Sequence, residues 1–185
     1  MDVRRESKIG AFAVLGLGCL VAAWSGSMGT GNARGESPMS GVTLDQLLRM
    51  SAAELDAHYH QGIAAAIPPG RVRGTALLAP GTWRTRPLAR GTRLIWQGKI
   101  IDEDQATAVN RFFGIRMIRG RLSQGPSWSD GDPTLVLDYS ETSRIYARNR
   151  DEIRQVAPGL FLGLMYDRTT TPPGLSMYLA LQTSE

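Results

Sequence analysis

Short apolar runs divided by turn signals fill the chain from Arg71 onward, and this pattern constrains the fold more than any other feature. In the last run, Leu175–Leu181, apolar side chains occupy every second position. A period of two places one row of side chains in a core and the other row on the opposite face of a strand. The runs predict strands at Arg71–Leu78, Arg93–Ile101, Phe112–Leu122, Thr134–Tyr139, Arg144–Ala147, Leu160–Tyr166 and Leu175–Leu181.

The turns between these runs are marked by proline and glycine, as at Pro80-Gly81, Gly125-Pro126 and Thr169–Gly174. Apart from a single helical turn with surface ion pairs predicted at Arg150–Arg154, we find no helical pattern between the runs, so successive strands are expected to pair antiparallel, as a meander. Such a sheet either stacks as a sandwich or closes on itself. The predicted fold is mainly β: an antiparallel meander that closes into a β-barrel, plugged or flanked by an N-terminal helical segment.

That helical segment is Thr43–Ile63, where leucines recur at helical spacing. Asp45 and Arg49 lie four residues apart and predict an ion pair on one helix face. Ser51 and Glu54 have the spacing of a capping box, which predicts that a second helix begins there after a bend.

The N-terminus predicts an export signal. Arg4, Arg5 and Lys8 form a basic start, and Ile9–Trp24 is uncharged and mostly apolar. This run of sixteen residues is short against the roughly 20 that a spanning helix needs. A cleaved signal is therefore favoured over its alternative, an uncleaved membrane anchor. The chain divides into a signal peptide or anchor at 1–23, a flexible Gly/Ser-rich tether at 24–42 and one helix-plus-barrel domain at 43–185, exported to the periplasm or another extracytoplasmic space.

Composition excludes several function classes. The formal net charge is +4, carried almost wholly by arginine, because Lys8 and Lys99 are the only lysines. No dense basic run with interleaved aromatic residues occurs, so nucleic acid is not an expected partner. The single cysteine, Cys19, lies in the N-terminal apolar run. The folded part therefore has no disulfide, no cysteine metal site and no thiol nucleophile.

Two short motifs carry a family resemblance. Gly70–Gly74 (GRVRG) and Trp96–Lys99 (WQGK) resemble the GXWXG segment and the following W-x-G-K segment of a group of bacterial proteins. Val72 departs from that pattern, since it stands where the family carries tryptophan. More loosely, the chain is similar to the lipocalin-like (calycin) barrels. The resemblance covers the N-terminal half of the domain and implies a barrel with an apolar interior able to hold a small ligand.

A polar group at the end of a predicted strand is the candidate site. Asp138 follows an apolar run, on the face opposite Leu137 and Tyr139, and Arg144 or Arg148 could pair with it. One interpretation is an acid/base or anion-binding group at a pocket mouth, and the other is a structural ion pair. The catalytic candidates are Asp138, Tyr139 and Arg144. The candidate ligand-binding residues are Trp96, Phe113, Asp138, Tyr139, Arg144, Tyr166 and Tyr178.

Metal and nucleophile chemistry are not expected. His58 and His60, the only histidines, are two residues apart and point to different sides of a helix. Ser140 and Ser143 have no histidine near them in sequence. No cofactor is expected either.

Three functions remain open from the sequence. The first is an exported, non-catalytic barrel of the cell envelope that binds a small apolar or amphipathic molecule. The second is a calycin-like enzyme, an isomerase or lyase, that uses the Asp/Tyr/Arg group at a barrel mouth. The third is a structural protein of the envelope, which would expose an apolar patch.

Overall fold

The computed structural model describes residues 41–183, so the predicted signal or anchor and nearly all of the predicted tether lie outside the described residues. No helix in this part of the chain is long and apolar enough to cross a membrane. The helices are α1 (Leu44–Leu47), α2 (Ala52–Gln61) and α3 (Thr85–Ile95). The strands are β1 (Gly70–Leu77), β2 (Trp96–Asp102), β3 (Thr107–Phe112), β4 (Ile115–Pro126), β5 (Pro133–Asp138), β6 (Asn149–Ala157), β7 (Leu160–Asp167) and β8 (Gly174–Thr183).

The eight strands form a closed barrel in chain order. Each strand pairs antiparallel with the next, and β8 closes the sheet by pairing antiparallel with β1, where Val72 faces Thr183. The predicted architecture, an antiparallel meander closed into a β-barrel with an N-terminal helical segment, is confirmed.

Two hydrophobic cores follow from the alternation of side chains along the strands. One fills the barrel and includes Val72, Leu137 and Phe161. The other lies outside the barrel wall, where Leu55 and Tyr59 of α2 pack with outward-facing residues of β7 and β8. The helical segment therefore flanks the barrel at β6–β8, and α3 packs against β1.

The helical segment forms as predicted. It bends between α1 and α2, and at the bend Ser51 and Glu54 form a reciprocal capping box. The backbone N–H of Ser51 donates to Glu54 Oε2 at 2.7 Å, and the N–H of Glu54 donates to Ser51 Oγ at 3.3 Å. The ion pair of Asp45 and Arg49 is present at 2.6 Å. These features are local in sequence, which explains why periodicity and spacing found them.

Three elements were missed, namely the helix α3 and the strands β3 and β6. The expectation that no helix lies between the strands is wrong, because α3 occupies Thr85–Ile95 and the predicted strand Arg93–Ile101 begins only at Trp96. Thr85 and Ala89, four residues apart, are the buried positions of α3. Pro87 lies in the first turn, where a missing N–H costs no helical hydrogen bond.

Two further predicted strands are also wrong. Phe112–Leu122 is the turn and part of both arms of the β3–β4 hairpin, and Arg144–Ala147 forms a turn. The charged segment Arg150–Arg154, predicted as a helical turn, lies within β6. Its charges alternate between the two faces of a strand instead of pairing along a helix.

Candidate functional site

The two motifs of the family resemblance form one joint between β1 and β2. A Cβ atom at Gly74 would lie 2.6 Å from Cη2 of Trp96, so the indole ring occupies the place of a side chain there. A Cβ at Gly98 would lie 2.2 Å from the carbonyl oxygen of Val72, and Gly98 has a φ of +111°. Only glycine fits both positions without a backbone shift.

This joint also redirects a lysine. The pairing of β2 with β3 shifts register between Trp96 and Gly98, as in a β-bulge. The extra residue changes the alternation, so that Trp96 and Lys99 both bond to Asn110 inside the barrel. Lys99 is thereby placed in an apolar interior.

Lys99 lies at the centre of a hydrogen-bonded group. Its Nζ donates to Oδ1 of Asn110 at 2.8 Å, to Oη of Tyr139 at 2.8 Å and to Oδ2 of Asp151 at 2.9 Å. The Trp96 indole N–H donates to Asn110 Oδ1 at 2.9 Å. The Tyr139 hydroxyl donates to Asp151 Oδ2 at 2.8 Å. We call these five residues the interior polar cluster.

The ion pair in the cluster is almost fully removed from solvent. The side chains of Lys99 and Asp151 are 1% and 2% exposed. Burying two charges costs free energy that only good geometry and further hydrogen bonds offset, so such a pair marks a candidate site. The aromatic rings of Trp96 and Tyr139 contribute, since Lys99 Nζ lies 5.4 and 5.6 Å from their centroids.

Tyr139 acts in this cluster as a hydrogen-bond donor. Burial, and then the negative charge of Asp151, raise the pKa of its phenol well above the ordinary value. Lys99 has no donor to spare, because each of its three protons already has an acceptor.

One carboxylate oxygen of the cluster has no hydrogen-bond donor among the described residues. This atom, Asp151 Oδ1, is buried. The pKa of the Tyr146 phenol is raised, first by burial and then by the negative charge of Asp151. The Tyr146 ring packs against Tyr139 and Phe112, with centroids 5.7 and 6.2 Å apart. Around the Tyr146 ring, partly buried apolar side chains form a layer that packs against the interior core. The layer comprises Phe112, Ile118, Tyr146, Met165 and Met177.

Of the predicted site residues, the structure brings Trp96 and Tyr139 together in this cluster. Asp138 precedes Tyr139 on the strand and therefore points to the outer side of the wall, where its carboxylate is bonded to Arg168. Burial works to raise the pKa of Asp138, but the bonds from Arg168 and from the Ser140 N–H lower it overall. Arg144 is exposed in the turn after β5. The three catalytic candidates are thus not gathered at one point.

The other predicted ligand residues lie elsewhere. Phe113 is exposed in the β3–β4 turn. Tyr178 lies under α2, where its hydroxyl donates to Asp56 at 2.7 Å, and its pKa is raised, chiefly by burial. Tyr166 packs edge-on against Trp128 at 5.4 Å, and burial, then the charge of Glu152, raises its pKa to about 12.

The sequence interpretation missed Lys99, Asn110 and Asp151 as site residues. Lys99 lies two positions before the apolar Ile101, so both side chains are expected on the same, inward face of the strand. The lysine of the W-x-G-K segment could have been found by this spacing. Asp151 and Ile153 have the same relation within β6, but the segment was predicted as a helical turn. Asn110 carries no sequence signal that we can identify.

A second buried polar group lies outside the barrel wall and is structural. Glu152 accepts from Ser127 Oγ at 2.6 Å and from the Trp128 N–H at 3.0 Å. Arg154 makes two bonds of 2.7 Å to Asp130 and one of 3.3 Å to the Tyr59 carbonyl. These contacts hold the β4–β5 loop and α2 against β6. Among residues 41–183 no group of histidine, cysteine and acidic side chains is placed to hold a metal ion.

Comparisons with known proteins add little. No family model matches the chain, and no curated protein matches it. A protein from Thermomonospora curvata with a crystal structure is similar at 14% identity and a TM-score of 0.49, over 74% of this chain and 90% of its own. Similarity at this level supports no inference, and membership of the GXWXG-type or lipocalin-like proteins stays a prediction.

Proposed function

We propose that this chain is an exported, non-catalytic binding protein of the cell envelope, which holds a small, largely apolar molecule through one hydroxyl or amino group. The observation that carries the proposal is Asp151 Oδ1, a buried carboxylate oxygen without a donor among the described residues. A buried acceptor left unpaired is costly, so a ligand O–H or N–H placed there would gain a charge-assisted hydrogen bond.

The cluster explains why a donor-bearing ligand is favoured over an acid. Lys99 and Tyr139 use their polar hydrogens within the cluster, and Asn110 Nδ2 donates to the Tyr139 hydroxyl and to the Ile118 carbonyl. The atom of the cluster that is left for a ligand is the acceptor Asp151 Oδ1, which would repel a ligand carboxylate.

The rest of the ligand would meet apolar side chains. An eight-stranded barrel has an interior that either is filled by side chains or holds one small molecule. Here large side chains fill much of it, so we expect the ligand to displace the partly buried layer around Phe112 and Tyr146.

The experiment compares long-chain alcohols and amines with carboxylic acids of the same chain length. Native mass spectrometry and calorimetry of the full chain should show binding of the alcohol or amine and not of the acid. Asp151→Asn, which replaces the charged acceptor, should weaken this binding. The matched control is Asp130→Asn, which alters a carboxylate on the outside of the wall. Equal binding of acid and alcohol, or an unchanged Asp151→Asn variant, would contradict the proposal.

The envelope address is tested separately. N-terminal sequencing of native protein from fractionated cells should find either a start near Trp24 in the envelope fraction or an intact Met1 in the membrane pellet. The first result supports a cleaved signal, and the second supports an uncleaved anchor. A soluble chain with an intact Met1 in the cytoplasmic fraction would refute export.

A further inference from the structure

Exposed apolar side chains gather at one end of the barrel. In this meander the ends of β1, β3, β5 and β7 and the beginnings of the strands that follow them lie at the same end. The Phe113 N–H donates to the Ile95 carbonyl at 2.8 Å, so the β3–β4 turn contacts the end of α3 there. Eight of the ten large apolar side chains exposed in residues 41–183 belong to this end. Trp83 lies beside Arg49 and Arg86, and we call the other seven the apolar rim: Leu94, Ile95, Phe113, Ile115, Met117, Ile145 and Leu175.

Phe113 sits in a conformation that disfavours it. It has a φ of +51°, and the following Gly114 has a φ of +83°. A two-residue hairpin turn with positive φ at both positions favours Asn-Gly, and a bulky residue there is strained. Phe113 is 67% exposed, so burial in the fold does not offset that strain. Strain at an exposed apolar residue points to a role outside the fold.

Arginines flank the rim without partners of opposite charge. Arg111 and Arg116 are directly opposite each other on β3 and β4, and such like-charged pairs are destabilising. Neither they nor Arg93 has a carboxylate within 4.0 Å among the described residues. Of the carboxylates at this end, Asp138 pairs with Arg168, Glu141 pairs with Arg121, and Asp167 accepts from the Thr169 N–H.

Three arginines also line a concave surface beside the rim. It measures about 390 Å³ and is lined by Arg71, Arg73, Gly74, Arg93 and Gln97, with no carboxylate. Gln97 connects it to the rim, since its Oε1 accepts from the Gly114 N–H at 2.9 Å. Guanidinium groups that converge in this way suit a phosphate oxyanion.

We propose that this end of the barrel docks on an anionic phospholipid bilayer. Phe113 and Ile115 enter the interfacial layer, and Arg71, Arg73 and Arg93 hold a lipid phosphate. A bilayer is the surface that presents phosphate beside an apolar phase. Nucleic acid offers phosphate without that phase, and a second copy would bring arginine against arginine. This inference goes beyond the ligand site and does not depend on it.

The test reads insertion at a chosen position, because residues 1–23 could hold the full chain on vesicles by themselves. In a Cys19→Ser background, a polarity-sensitive dye is attached at Phe113→Cys or at Ile63→Cys. Ile63 is exposed but lies at the opposite end, where it pairs with Gln155. Vesicles of phosphatidylglycerol should shift the emission of the dye at 113 and not at 63, and phosphatidylcholine vesicles should shift neither.

Substitutions then test the charge contribution. Arg93→Gln in the dye-113 protein should weaken the partition about fivefold, as expected for one cation near an anionic surface. Arg49→Gln, an exposed arginine in the turn after α1, is the matched control and should have no effect. An equal response at both dye positions, a response to phosphatidylcholine, or a shift that rises with protein concentration without vesicles would overturn the proposal. A negative result here leaves the alcohol-binding experiment unaffected, because the dye does not report on the interior.

Discussion

Replacing Lys99 by methionine removes the cation of the interior polar cluster and keeps most of the side-chain volume. Asp151 then stays buried with the Tyr139 hydroxyl as its remaining donor, and Asn110 Oδ1 keeps only the Trp96 N–H. Breaking one partner of a buried pair costs about 3–5 kcal/mol. The stability of a domain is about 5–15 kcal/mol, so the variant should be marginally folded.

The assay is urea unfolding followed by tryptophan fluorescence. The double variant Lys99→Met/Asp151→Leu should regain most of the loss, because no charge is then left buried. Arg121→Met removes a pair whose side chains are 67% and 71% exposed, and should change stability by less than about 0.5 kcal/mol. A Lys99→Met variant within about 1 kcal/mol of the wild type, or a double variant less stable than the single, would refute a compensated buried pair.

Three further predictions concern the backbone and the tyrosines. Gly98→Ala should lower the free energy of unfolding in urea by about 1–3 kcal/mol or more, because its Cβ would meet the backbone of β1. Gly91→Ala in α3 has open space around its Cβ and should raise the free energy of unfolding by about 0.5–1 kcal/mol. Phe113→Asn should raise the unfolding midpoint, because asparagine tolerates the positive φ of this turn, and a lower midpoint would contradict the strain assigned to it. All five tyrosines have raised pKa values in the folded chain, and the value for Tyr166 is about 12. Their contribution to the free energy of unfolding is therefore complete below the ordinary pKa near 10. It is lost as the pH rises through the pKa values of the folded chain. Absorbance should show tyrosinate appearing together with unfolding, and any tyrosine that titrates near pH 10 in the folded protein would count against this.

The sequence was informative wherever the physics is local. Alternation along Leu175–Leu181, the proline and glycine turns, and the capping box of Ser51 and Glu54 each depend on residues a few positions apart. They were sufficient for the strand-rich fold, its antiparallel order and the bent helical segment. The helix α3 was missed for a local reason too, since its buried positions, Thr85 and Ala89, are few and its other residues are mostly exposed.

The candidate site needed the tertiary structure. Periodicity tells which face of a strand a residue lies on, and it placed Asp138 and Tyr139 correctly on opposite faces. It does not tell which strand lies across the barrel or where a bulge shifts the alternation. Asp138 pairs with Arg168, thirty residues away, and Lys99 reaches Asp151 across fifty-two residues. The sequence by itself therefore determined an antiparallel meander of strands, because that choice follows from local periodicity and turns. Only the folded barrel decided which charges share its interior, because strand register, the Gly98 bulge and closure of β8 on β1 bring together residues that are far apart along the chain.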